Sequence, residues 1–214
     1  MGTLKAQTEA KIEAGRQANP DFMQAVDEII EQAKAFQQGD SAIAVGEKAP
    51  AFTLPDADGQ SISLSDLLKK GPLIVTFYRG SWCPYCNLQL RALSARLDEI
   101  HALGAQLVAI SPQVPDGSMT KDAISDMGFC VLSDQDAKVA AEFGVAWKVP
   151  AFLTEHMRVD RQLDLDAINN GNGHVLPIPA TFIIGRDGIV SWRYVDVDYR
   201  TRSEPDDIIA ALQC

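Results

Sequence analysis

Four cysteines in 214 residues are too few for the disulfide framework of a secreted protein. No stretch of the chain approaches the apolar length that spans a bilayer, and residues 1–10 lack a basic start followed by a sustained apolar run. A cytoplasmic protein with no membrane contact is expected. Basic side chains are also in deficit: 19 Lys and Arg stand against 29 Asp and Glu, a formal net charge of -10. That field repels phosphate backbones, which excludes nucleic acid as a partner. The three histidines, His101, His156 and His174, show no paired spacing around which a metal site could be built. No internal repeat is present.

A hydrophobic content of 46% over this length fits one domain with an appendage. Residues 1–42 read as an N-terminal helical extension and 43–214 as the main domain. In the extension Leu4, Ile12, Phe22, Val26, Ile29, Ile30 and Ala33 recur at helical spacing, with a break at Asn19-Pro20 that divides two helices. Their stripe needs a cover, either the main domain or a second subunit, so a homodimer is one option.

From Gly46 onward strand and helix signals alternate. Residues 52–54 and 61–64 flank Asp56 to Gly59 as a β-hairpin. Leu73-Ile74-Val75-Thr76-Phe77-Tyr78 is a continuous apolar run, the pattern of a strand covered on both faces. Residues 86–103 follow as a helix with Leu90, Leu93, Leu97 and Ile100 on one stripe. Strands at 107–110 and 130–132 and helices at 121–127 and 138–143 continue the alternation, which predicts right-handed crossovers and a largely parallel centre. Arg186-Asp187-Gly188 turns an antiparallel hairpin between 181–184 and 189–194. Ser203 caps a final helix that opens at Pro205. Residues 149–177 have no strong periodicity beyond a short helix over 161–168, and Asn169 to Gly173 reads as an exposed turn.

The chemistry lies in Cys83-Pro84-Tyr85-Cys86, placed where a strand ends and a helix begins. Free backbone N–H groups at a helix start favour negative charge, and the thiolate is the reactive form of cysteine. Residues three apart on the first turn share a face, so the two sulfurs can close a disulfide. Half of a zinc site has the same spacing, but it needs two further ligands. Cys130 reads as a small core residue of its strand, and Cys214, the last residue, as incidental. Pro179 stands immediately before a strand. There it removes a backbone donor and can adopt the cis isomer, leaving backbone atoms free to pair with an extended substrate, with the isomer left open; a plain strand-entry proline is the alternative.

Three segments carry a family resemblance: Gly46-Glu47-Lys48-Ala49-Pro50-Ala51-Phe52-Thr53-Leu54, Phe77-Tyr78-Arg79-Gly80-Ser81-Trp82-Cys83-Pro84-Tyr85-Cys86, and Ala180-Thr181-Phe182-Ile183-Ile184-Gly185-Arg186-Asp187-Gly188. From about Gly46 to Leu212 the chain resembles the alkyl hydroperoxide reductase/thiol-specific antioxidant family. The resemblance implies an α/β, thioredoxin-like fold, with a central mixed sheet flanked by helices, and thiol chemistry that uses neither cofactor nor metal. Peroxiredoxins of the family carry Pro-x-x-x-Thr-x-x-Cys, ending in the peroxidatic cysteine, and alignment puts Cys86 there. Cys83 then replaces the threonine, Arg79 the proline, and Pro179 the arginine expected before the hairpin strand.

The implied activity is a thiol-dependent peroxidase. A thiolate attacks a hydroperoxide, the sulfenic acid condenses with the neighbouring thiol, and thioredoxin or another dithiol resets the pair. Helix geometry favours an exposed Cys83 as the attacking thiol, whereas alignment favours Cys86. Arg79 or Arg91 could supply the lost positive charge, although each reads more simply as a surface arginine. Two other readings stand beside this one. A dithiol oxidoreductase would dock protein disulfides on Trp82 and Pro179, and a redox sensor or zinc-bridged dimer would do no catalysis.

Overall fold

Leu73–Phe77 is buried at every position, and its alternation sorts the interior into two layers. In the computed structural model, which describes residues 2–35, 38–114 and 128–213, Leu73, Val75 and Phe77 face one layer and Ile74 the other. The helix expected over 121–127 and the terminal Cys214 lie outside the described residues.

In chain order the elements begin with α1 (Leu4–Ala18) and α2 (Pro20–Ala35), followed by the hairpin of β1 (Thr53–Pro55) and β2 (Ser61–Ser63). Next come α3 (Leu64–Lys70), β3 (Leu73–Phe77), α4 (Pro84–Ser94), α5 (Leu97–Ala102), β4 (Gln106–Ser111) and β5 (Cys130–Ser133). The chain continues through α6 (Lys138–Glu142), β6 (Ala146–Lys148), α7 (Ala151–Asp160), α8 (Leu165–Ile168) and β7 (Val175–Pro177). It closes with β8 (Ala180–Ile184), β9 (Val190–Val195) and α9 (Pro205–Leu212).

The main sheet has the order β5-β4-β3-β8-β9. β3, β4 and β5 run parallel to one another, as the alternation predicts, and β8 and β9 pair antiparallel on the other side, which makes the central mixed sheet that the resemblance implies. The chain reaches β8 through the two-stranded β6–β7 ribbon, which brings it to β3 in the opposite sense. One face of the sheet is a layer around Phe77, Phe143 and Phe182, with ring centroids 5.1 to 6.1 Å apart. The other is covered by Leu93, Leu97 and Ile100 together with Ile208 and Ile209 of α9. The single helix expected over 86–103 is two, broken at Ala95 and Arg96, and its four predicted stripe residues are all buried.

The N-terminal pair divides at Asn19 as its pattern requires, and it is covered by its own chain. Val26 and Ile30 of α2 pack on Val149, Leu153, Met157, Leu165 and Leu176, while α1 lies along α4. α7 was not foreseen. Only Leu153 and Met157 of its ten residues are buried, too thin a stripe to read as periodicity, and packing on α2 supplies what the pattern lacks. Asn169, expected in an exposed turn, is fully buried. Ser203 does not cap α9: Glu204 occupies that place, and the Ser203 hydroxyl turns inward to Thr181 at 3.1 Å. Among the described residues no helix is long and apolar enough to cross a membrane.

Candidate active site

β3 delivers the chain into a four-residue loop, Arg79 to Trp82, that can turn only because of its glycine. Gly80 sits at φ +145°, and a Cβ there would meet the Trp82 Nε1 atom at 2.4 Å. Gln113, just past β4, accepts from both the Ser81 backbone N–H at 2.8 Å and the Ser81 hydroxyl at 3.0 Å. Asn87 donates to the Ser81 carbonyl at 2.8 Å. Cys83 is then the N-cap of α4 with Pro84 at the first helical position, so Cys86 falls on the first turn. Gln89, one helical step further, donates to the Thr76 and Thr181 hydroxyls at 3.3 Å each, forming a polar floor between helix and sheet.

Both sulfurs are free thiols, and both are buried: Cys83 is 1% exposed and Cys86 0%. The exposed, acidic Cys83 expected from helix geometry is thereby corrected, because N-capping places a residue at the helix start without placing it at the surface. Burial pushes the Cys83 thiol well up, and the hydrogen bond to Cys86 and the charge on it add to this. Burial also pushes Cys86 up, but four groups outweigh it: a hydrogen bond from Cys83, the Arg202 charge, a hydrogen bond from the Arg79 backbone and the Arg79 charge. Together they bring Cys86 down to about 5. The Arg202 Nη2 atom donates directly to the Cys86 sulfur at 3.2 Å.

Arg79 is not a surface residue. It is 2% exposed, and its guanidinium lies between the Trp82 and Tyr199 rings, 5.2 and 4.2 Å from their centroids. Its Nε and Nη2 atoms, and the Trp82 Nε1 atom, are buried donors without a partner among the described residues. Arg91, the other candidate cation, is exposed on α4. Pro179 is buried between β7 and β8, one residue before Ala180, which pairs with Phe77. It therefore sits at the end of the sheet from which the Arg79 loop departs, and its peptide bond is trans. Cys130 packs half-buried against the core and its thiol is pushed up, chiefly by burial.

Sequence reasoning missed Arg202 and Tyr199. Both lie in the irregular strap after β9, where Arg200 and Arg202 are two cations close together in an acidic chain, the one signal that could have marked them. A cavity of about 500 Å³ opens beside the dithiol, with Pro84, Tyr85 and Tyr199 on one wall and Gly15 and Phe22 of the N-terminal helices on the other. Among the described residues no group of three or more His, Cys, Asp or Glu side chains is placed to hold a metal ion.

A sequence model of the AhpC/TSA family matches residues 45–193. Peroxiredoxin Bcp of Escherichia coli K12 is 32% identical over 169 residues, 78% of this chain and 94% of that protein. A Mycobacterium tuberculosis protein named provisionally as a peroxiredoxin is 38% identical over 99 residues; the match covers 46% of this chain and spans only 62% of the relative's length. In fold, the chain is similar to the crystal structure of peroxidoxin BcpB from M. tuberculosis, with a TM-score of 0.61 and 23% identity over 80% of this chain and 97% of that one.

Proposed function

The chain belongs to the AhpC/TSA family, and from that premise we propose that it is a thiol-dependent peroxidase in which Cys86 attacks and Cys83 resolves. The observation that carries this reading is the electrostatic asymmetry of the dithiol: of two equally buried sulfurs, only Cys86 is held anionic, by the Arg202 guanidinium and the Arg79 backbone.

The Cys86 thiolate attacks the terminal oxygen of a hydroperoxide. An S–O bond forms as the O–O bond breaks, and the alkoxide or hydroxide leaves with a proton as alcohol or water. Charge builds on the departing oxygen, and the Arg79 and Trp82 N–H groups that lack partners among the described residues are donors available to it. They stand in for the threonine and arginine that this chain lacks. The Cys83 thiol then attacks the sulfenic sulfur, closing the Cys83–Cys86 disulfide and releasing water. An external dithiol, such as thioredoxin, reduces the disulfide and is itself oxidised, which suits a reducing cytoplasm. Residues 43–214 are read as the catalytic domain and 1–42 as its extension.

The test is a sulfenic-acid trap after one equivalent of hydrogen peroxide. The Cys83→Ser variant should accumulate sulfenic acid on Cys86, and the Cys86→Ser variant should react no faster than a free model thiol. Sulfenic acid on Cys83 in the second variant would reverse the assignment, and wild-type thiol loss at the model-thiol rate would end the peroxidase reading.

A further inference from the structure

The strap of residues 198–204 carries the active-site cation, and the N-terminal helices hold it on both sides of that cation. Two residues before Arg202, the nearly buried Arg200 donates from Nη1 to Asp27 of α2 at 2.6 Å, and Arg16 of α1 donates to the same carboxylate at 3.2 Å. The rest of the Arg200 fork closes on Asp198 at 2.8 and 2.9 Å. Two residues after Arg202, the Glu204 carboxylate accepts the backbone N–H groups of Leu4 and Lys5 at 3.2 and 2.5 Å. A carboxylate on the open N–H groups of a helix start is held by hydrogen bonds and by the helix dipole together. Between these anchors Arg202 donates to the Tyr199 and Thr201 carbonyls and to Cys86.

We propose that the N-terminal helix pair is a positioning device for Arg202: Asp27, acting through Arg200, and Glu204, docked on α1, keep the strap where the guanidinium meets the Cys86 sulfur. The inference rests on Cys86 as the attacking thiol and adds two positioning residues that touch neither sulfur. Position matters here because a charge–thiolate interaction weakens directly with distance and more steeply once water enters the gap. The extension also covers the site, since Ile12 of α1 packs on the cluster that contains Cys83 and Cys86. Docking of one helix pair therefore sets both the charge at the sulfur and the cover over it. The titratable groups facing Cys86 are Cys83, Arg79, Arg202 and Tyr78. Asp27 and Glu204 reach it only through the strap.

The test titrates Cys86 without peroxide, by pH-dependent iodoacetamide alkylation read by mass spectrometry, in full-length Asp27→Asn, Glu204→Gln and double variants. In the double variant the alkylation midpoint should rise by about one pH unit, roughly what weakening one close opposite charge produces. Asp27→Glu should restore most of the Asp27→Asn shift, and in an Arg202→Met background neither change should move the midpoint further. Should the double variant not fold, Glu204→Gln carries the same comparison alone. An unmoved midpoint in a folded variant, or an equal shift with and without Arg202, overturns the proposal. A protein that titrates as expected but does not consume peroxide sinks the peroxidase reading and leaves the positioning role intact.

Discussion

The sheet under the dithiol and the strap over it hold the same two sulfurs by different physics. Beneath, β3, β8 and the rings of Phe77, Phe143 and Phe182 form an apolar layer that holds the sheet and the base of the active-site loop in place, and non-directional burial does the work. Above, residues 198–204 have no regular structure and are held by ion pairs, carbonyl contacts and one helix start. The lower region fixes where the sulfurs are. The upper region brings a cation to one of them, Cys86. Substitutions below should therefore change stability without changing acidity, and substitutions above should do the reverse.

The largest expected effect is below. Phe182→Ala should cost about 3–5 kcal/mol of unfolding free energy in a denaturant titration, the usual cost of emptying a buried aromatic site, while the folded fraction keeps its acid limb. A displaced limb would mean that the layers are coupled. The next is above: Arg202→Met should raise the Cys86 midpoint by about one to two pH units and slow peroxide reaction about twofold to tenfold near pH 6, since an opposite charge in contact is removed. The denaturation midpoint should move little, because a methionine fills a nearly buried site without a charge. Arg202→Lys should recover part of the rate; recovery of all of it would show that the fork geometry is irrelevant.

The smallest effect concerns the untouched protein. Cys86 is held below the ordinary thiol value, so its thiolate persists as pH falls until about 5. The peroxide rate should be flat above that point and lose about tenfold for each further unit downward, as a single required ionisation demands. A rate still rising from neutrality toward pH 9 would place the working thiol at Cys83 instead, and would erase the contrast between the two sulfurs.

The elements legible in the sequence were those with their own signal. The run from Leu73 to Phe77 is apolar throughout because it is buried on both faces, and the stripe through Leu90, Leu93, Leu97 and Ile100 survives the break at Arg96 because all four still meet the sheet. α7 was illegible because two buried residues in ten make no pattern. Ser203 misled because its local context is that of a cap, while a tertiary partner, Thr181, claims its hydroxyl. Arg79 misled in the same way: an arginine is ordinarily placed at the surface, but the Trp82 ring of its own loop and the Tyr199 ring from a distant part of the chain make a buried place for this one.

By itself the sequence determined that a dithiol opens a helix after a buried strand, because hydrophobic runs, spacing and a proline after the first cysteine are local facts. Only the tertiary structure decided that an arginine side chain meets the second sulfur and lowers its thiol. The deciding charge, Arg202, lies 116 residues away along the chain and meets Cys86 only when the strap is folded over it. Electrostatic energy depends on distance in space, and no local pattern in the chain encodes that distance.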